Sequence, residues 1–249
     1  MQVFQFQHAE GHPPRFLRFD PTGRLLAAGW RPVVLFDTHR GSQIPTPGLE
    51  LAGAGLAFAG ASLVFTVPQA GTVARYDLAT GETFRRRYEH VWYSGLAAAP
   101  DGEAVLVSVG GYGLRNESEI RVLRVADFEV RASIPNDAGA FVGIELSADG
   151  NWLVGDTGVH LRVWSVGVGR FSTRARRKIE TDGYTYGFGL THDGAVVAVA
   201  TSRGVAAWDV ASGEQLFKSG KHRRAVTALA CAPDRPLIAT GDREGQVFL

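Results

Sequence analysis

Six times along the chain a tight turn runs straight into a strand that has no polar side. Asp20-Pro21-Thr22-Gly23, Pro100-Asp101-Gly102, Ala148-Asp149-Gly150, His192-Asp193-Gly194 and Pro233-Asp234-Arg235 occupy matching places, and Ala59-Gly60-Ala61 fills the gap between the first two. Asp bonds nearby backbone and Gly accepts a positive φ, so each reads as a turn. The strands that follow include Leu25-Leu26-Ala27-Ala28, Leu63-Val64-Phe65, Val105-Leu106-Val107, Trp152-Leu153-Val154, Val196-Val197-Ala198 and Leu237-Ile238-Ala239. A strand apolar on both faces has to be covered on both faces. Stacking neighbouring sheets against one another does this.

A second mark follows each strand. It reads Val33-Val34-Leu35-Phe36-Asp37, Val73-Ala74-Arg75-Tyr76-Asp77, Ile120-Arg121-Val122-Leu123-Arg124, Leu161-Arg162-Val163-Trp164-Ser165 and Val205-Ala206-Ala207-Trp208-Asp209. The large residues Phe36, Tyr76, Leu123, Trp164 and Trp208 stand 40, 47, 41 and 44 residues apart. A period near 40 with about four strands per unit is the pattern of propeller blades. No linker or shift in composition divides the chain, so residues 1–249 are read as a single domain.

The units resemble WD repeats. The tryptophan-aspartate pair stands at Trp208-Asp209, and the Gly-His mark stands at Gly11-His12 and, with an insertion, at Gly220-Lys221-His222, with His90 as a third trace. The resemblance spans essentially the whole chain and implies an all-β propeller. In that family a buried histidine bonds an aspartate in the loop before the third strand; the pair this implies here is His222 with Glu244, a glutamate where the family has aspartate. Val3-Phe4-Gln5-Phe6 reads as a fourth strand and Gly245-Gln246-Val247-Phe248-Leu249 as a third. Together they make six four-stranded blades, with the N-terminal strand completing the last one. Closure of that kind removes open sheet edges.

Composition sets outer bounds. Formal charge is +1, so no global field draws the chain to nucleic acid or membrane, and any electrostatic role must come from local clustering. Cys231 is the one cysteine, which excludes an internal disulfide; set in Leu229-Ala230-Cys231-Ala232, it reads as core filler. No apolar run approaches the roughly 18 residues that span a bilayer. The start alternates polar and apolar residues, unlike a signal peptide, so the cytoplasm is the expected compartment.

No catalytic group, metal site or cofactor is expected. Gly53-Ala54-Gly55 and Gly167-Val168-Gly169 lack what a phosphate cradle needs, and no serine sits in a nucleophile elbow. Asp101, Asp149, Asp193 and Asp234 each occupy a turn that explains them. The basic clusters Arg85-Arg86-Arg87, Arg174 to Lys178 and Lys218 to Arg224 fall late in their units. They read either as charges that keep an exposed edge strand from pairing with strangers or as part of a binding face. Aromatic residues stand just after them. The face so assembled comprises Trp30, Arg31, Trp92, Tyr93, Tyr184, Tyr186, Arg223 and Arg224, residue types that dominate binding hot spots; Phe141 reads equally as a plug. The expected function is a non-catalytic interaction scaffold that binds an acidic peptide or protein surface. The alternative is a six-bladed hydrolase or lactonase with its site at a central channel. The presumed inner strands, Gly95-Leu96-Ala97-Ala98 and Val226-Thr227-Ala228-Leu229, are small and apolar, which weighs against it.

Overall fold

The computed structural model describes residues 16–29, 33–46, 55–67, 71–88, 92–110, 118–136, 141–167, 170–171, 175–191, 193–220, 222, 224–231, 237–244 and 246–249. Every regular element among them is a strand. The first sheet holds β1 (Phe16–Phe19), β2 (Leu25–Gly29), β3 (Val34–Asp37) and β4 (Ser42–Ile44). The second holds β5 (Leu56–Ala59), β6 (Ser62–Val67), β7 (Thr72–Asp77) and β8 (Thr83–Arg87), and the third β9 (Trp92–Ala98), β10 (Ala104–Gly110), β11 (Ser118–Arg124) and β12 (Val130–Asn136). In the fourth, β13 (Gly143–Leu146), β14 (Trp152–Asp156) and β15 (His160–Gly167) are followed by β16 (Arg170–Phe171) and β17 (Arg177–Glu180), which both pair with β15. The fifth contains β18 (Thr185–Leu190), β19 (Val196–Thr201), β20 (Gly204–Asp209) and β21 (Gln215–Ser219). The sixth contains β22 (Val226–Cys231), β23 (Ile238–Asp242) and β24 (Val247–Phe248). Neighbours pair antiparallel in chain order. The expected strand at Val3–Phe6 and the marks at Gly11-His12 and His90 lie outside the described residues.

The chain divides into two compact units, residues 1–115 with 120–132 and residues 116–119 with 133–249. In the first, the second sheet is buried on both faces. Leu63, Phe65, Ala74 and Tyr76 pack with Ala27, Val33 and Leu35 of the first sheet. Val64 and Val73, one position along their strands, pack instead with Val105, Val107, Leu123 and Phe128 of the third. In the second unit, Val154, Leu161, Val163 and Ile179 of the fourth sheet meet Val197, Val199, Ala206 and Trp208 of the fifth. The period-two alternation of a strand thus sends successive apolar residues into two different interfaces. All five large residues of the 40-residue period are buried.

The turns use the predicted chemistry. Asp20 accepts the Leu25 amide (2.7 Å), Asp101 the Glu103 amide (2.9 Å) and Asp193 both the Ala195 amide (3.1 Å) and the Thr191 hydroxyl (2.6 Å). Gly102, at φ 73°, turns tightly and also lies so close to Gly60 that a Cβ would meet its amide nitrogen at 2.5 Å. Between third and fourth strands a second turn recurs, with the amide of Gly41, Gly81 or Gly213 bonded to the carbonyl of Asp37, Asp77 or Asp209. In the third sheet the same bond joins Phe128 to Arg124 (2.7 Å), and Phe128 holds φ 57° where the other turns have glycine.

Packing explains that exception. The Phe128 ring is fully buried between the second and third sheets, and its carbonyl accepts the Tyr88 hydroxyl. Arg86 of β8 donates to the neighbouring Asp127 carbonyl (3.2 Å). In the second unit Arg177 of β17 donates likewise to Ala211 (2.6 Å), in the matching turn of the next sheet. Members of two basic clusters therefore latch neighbouring sheets together. Because the ring is the asset and the backbone the liability, Phe128→Ala is expected to cost about 3–5 kcal/mol. Phe128→Gly should be more stable than Phe128→Ala by roughly 1 kcal/mol, the reverse of the usual order. Denaturant unfolding of the two variants decides this; an alanine variant at least as stable as the glycine one would show that the turn carries no strain.

Candidate functional site

Of the residues expected on a binding face, the structure brings Tyr184 and Tyr186 into contact, their rings 5.5 Å apart and inclined at 68°. Two positions apart at the start of β18, they point the same way, whereas Thr185 between them points inward and is buried. Thr185 pairs with Thr201 and Gly187 with Ala200, which leaves Tyr186 as the extra residue of a β-bulge. A bulge re-aims a side chain at a strand end. Tyr184 is 52% exposed and Tyr186 39%.

A buried carboxylate holds this segment. Asp156 ends β14, is 4% exposed, and accepts the Thr185 hydroxyl at 2.7 Å from each oxygen and the Gly158 amide at 2.7 Å. The Thr185 amide in turn donates to the Gly158 carbonyl (2.9 Å). Burial pushes the Asp156 carboxyl up, while the bonds from Thr185 and Gly158 pull it back. Gly158 has φ 91°, and a Cβ on it would stand 3.2 Å from the Tyr184 ring and 3.5 Å from Val142. Val142 is half exposed. At the other end the Arg243 guanidinium lies 5.7 Å from the centre of the Tyr186 ring. A continuous stripe results: Val142, Gly158, Tyr184, Tyr186, Arg243.

Arg224 donates to Glu244 (2.8 Å), so its charge is matched within the protein. Trp30, Arg31 and Arg223 lie outside the described residues. Trp92 and Tyr93 open β9 in the first unit, where Trp92 has the register of Tyr184 and Tyr93 that of Thr185. Phe141 is buried edge-on against Trp164 (5.6 Å) and belongs to the core. Burial, with a lesser push from Glu145, raises the Cys231 thiol to about 12, which keeps it protonated and unreactive.

The histidine expectation needs correction. His222 bonds Asp242 (Nδ1 to Oδ2, 3.0 Å) and Thr240 (Nε2 to Oγ1, 2.9 Å), not Glu244. Residues 240 and 242 share one face of β23, so a single imidazole reaches both. Glu244 lies beyond the strand end and turns to Arg224. The Phe248 ring stands edge-on to the imidazole at 4.6 Å.

This network falls within residues 213–249, the segment matched by the family model of the WD domain, G-beta repeat. The β-propeller domain of Cps50 (Swd1) from Myceliophteria thermophila superposes with a TM-score of 0.62 at 14% identity, covering 93% of this chain and 94% of that one. The chain folds as a β-propeller, and its last 37 residues match a WD repeat. Its six sheets are the blades. No curated protein matches the chain. WD-repeat propellers typically serve as protein-interaction scaffolds and are generally not enzymes.

Because burial raises the Asp156 pKa, the folded propeller keeps that proton to higher pH than the unfolded chain does. The group therefore favours folding most below the ordinary carboxylate range, and that contribution fades as pH rises through the raised value. Asp156→Asn cannot ionise. The stability of wild type relative to Asp156→Asn is expected to fall as pH rises from the ordinary carboxylate range, about pH 4, towards neutrality. A difference that stays flat across that range in denaturant titrations would contradict the assignment.

Proposed function

We propose that this propeller is a non-catalytic interaction module that binds an acidic peptide or protein surface through the stripe centred on Tyr184 and Tyr186. The observation that carries the reading is the exposed tyrosine pair fixed by the buried Asp156–Thr185–Gly158 network. Large aromatic side chains that stay in water in the free protein, yet are held by bonded backbone, give contact area at low entropic cost. Arg243 stacked on Tyr186 supplies the positive charge that suits an acidic partner. Arg224, already matched by Glu244, contributes chiefly by shaping the rim.

The test compares immobilised wild type with Tyr184→Ala and Tyr186→Ala in capture from an extract of the source cell, followed by affinity measurement on the proteins retained. Each substitution is expected to weaken binding by about 2 kcal/mol or more. Stability should fall by less than the roughly 3–5 kcal/mol of a core aromatic truncation, because both rings are partly exposed. Asp101→Ala, in a turn of the first unit, should leave binding intact. Normal binding by both tyrosine variants would refute the proposal.

A further inference from the structure

We infer that the stripe reads an extended protein segment in which an aliphatic or aromatic side chain and a carboxylate stand two positions apart. The apolar side chain takes the Val142–Tyr184 end and the carboxylate the Arg243 end. The inference rests on the reading of the stripe as a docking surface.

The stripe has a direction. At one end Val142 and Tyr184 flank Gly158, whose missing side chain leaves the backbone flush between them. Val142 and Tyr184 are each about half exposed, so this end offers an apolar shelf. At the other end stands a cation. Arg243 is exposed, lies over the Tyr186 ring, and has no carboxylate partner among the described residues. The neighbouring Glu244 is already paired with Arg224. Of the stripe's own five residues only Arg243 is charged, so the stripe's charge is positive and sits at its Arg243 end. A guanidinium resting on a ring still presents its N–H fork at the edge, which fits a carboxylate in bidentate fashion.

Spacing selects the arrangement of the ligand. The Tyr184 and Tyr186 rings are 5.5 Å apart, and the Arg243 guanidinium lies over the second, 5.7 Å from its centre. An extended chain places residues i and i+2 on one side at roughly 7 Å, whereas i+1 points away. An apolar residue over the tyrosines and an acid two positions on would therefore reach ring and guanidinium together. A run of acids alone would leave the shelf bare. An apolar segment without an acid would leave Arg243 unanswered.

The probes are soluble Gly/Ser peptides carrying Leu-Ser-Glu, Leu-Ser-Gln, Ala-Ser-Glu or Leu-Ser-Lys at the centre. They are titrated into the isotope-labelled full chain, and binding is read from amide NMR shifts. Leu-Ser-Glu is expected to bind tightest, with Leu-Ser-Gln weaker by about tenfold and Leu-Ser-Lys weaker still. In Arg243→Gln the Glu/Gln ratio should fall to about one while the Leu/Ala ratio persists. In Tyr184→Ala the Leu/Ala ratio should collapse instead. Spectra away from the stripe report whether each variant is folded. If Tyr184→Ala weakens every peptide but Arg243→Gln keeps the Glu preference, or if Leu-Ser-Lys binds as well as Leu-Ser-Glu, the inference is overturned and the docking surface stands. If Tyr184→Ala treats every peptide as wild type does, or no peptide shifts the stripe, the docking reading falls and the inference falls with it.

Discussion

Leu63 and Phe65 leave β6 on one side and Val64 on the other, and all three are sealed from water. That arrangement is the constraint on which the rest of the molecule depends. A sheet with two apolar faces needs a neighbour on each, and burying one large apolar side chain is worth roughly 1.5–3 kcal/mol. Successive sheets therefore stack within each unit. The strands become a rigid stack, and the turns at strand ends are left to carry what varies. Glycines and aspartates close those turns, while arginines from β8 and β17 fasten one sheet to the turn of the next.

The polar groups buried at strand ends do a different job. Asp156 and Asp242 both sit where a second strand ends, and each ties that strand to the segment entering a first strand. Asp242 does so within the sixth sheet, to His222, which also bonds Thr240. Asp156 reaches from the fourth sheet to Thr185 at the start of the fifth. Such a group costs free energy if it is left unbonded and becomes a specific fastening when every bond is made. At Asp156 the fastening lies directly beneath the tyrosines, so the same interaction that joins two blades presents two rings to solvent.

Much of this architecture is legible in the residues. The Asp-Gly turns, the two-faced strands and the spacing of Phe36, Tyr76, Leu123, Trp164 and Trp208 together specify sheets of the observed order, and Tyr184 with Tyr186 is visible as an aromatic pair after a basic stretch. The remainder depends on three-dimensional neighbours. Asp242 and Glu244 are both acids near His222, and only the strand register, which aligns 242 with 240, decides between them. Arg243 hides between those acids as an ordinary turn residue until its guanidinium is found on Tyr186. Asp156 carries no local mark, because its partners are two and 29 residues away. Phe128 breaks the turn rule that its own repeat teaches, for the sake of a ring buried in another sheet.

The central claim is that a buried carboxylate holds the tyrosine stripe in place before any partner arrives. Hydrogen–deuterium exchange at single-amide resolution tests it most directly. The Gly158 and Thr185 amides, bonded to Asp156 and to the Gly158 carbonyl, should exchange far more slowly than free peptide, and Asp156→Ala should release both while β19 stays protected. Exchange of these two amides at the rate of an unstructured loop in the wild-type protein would contradict the claim.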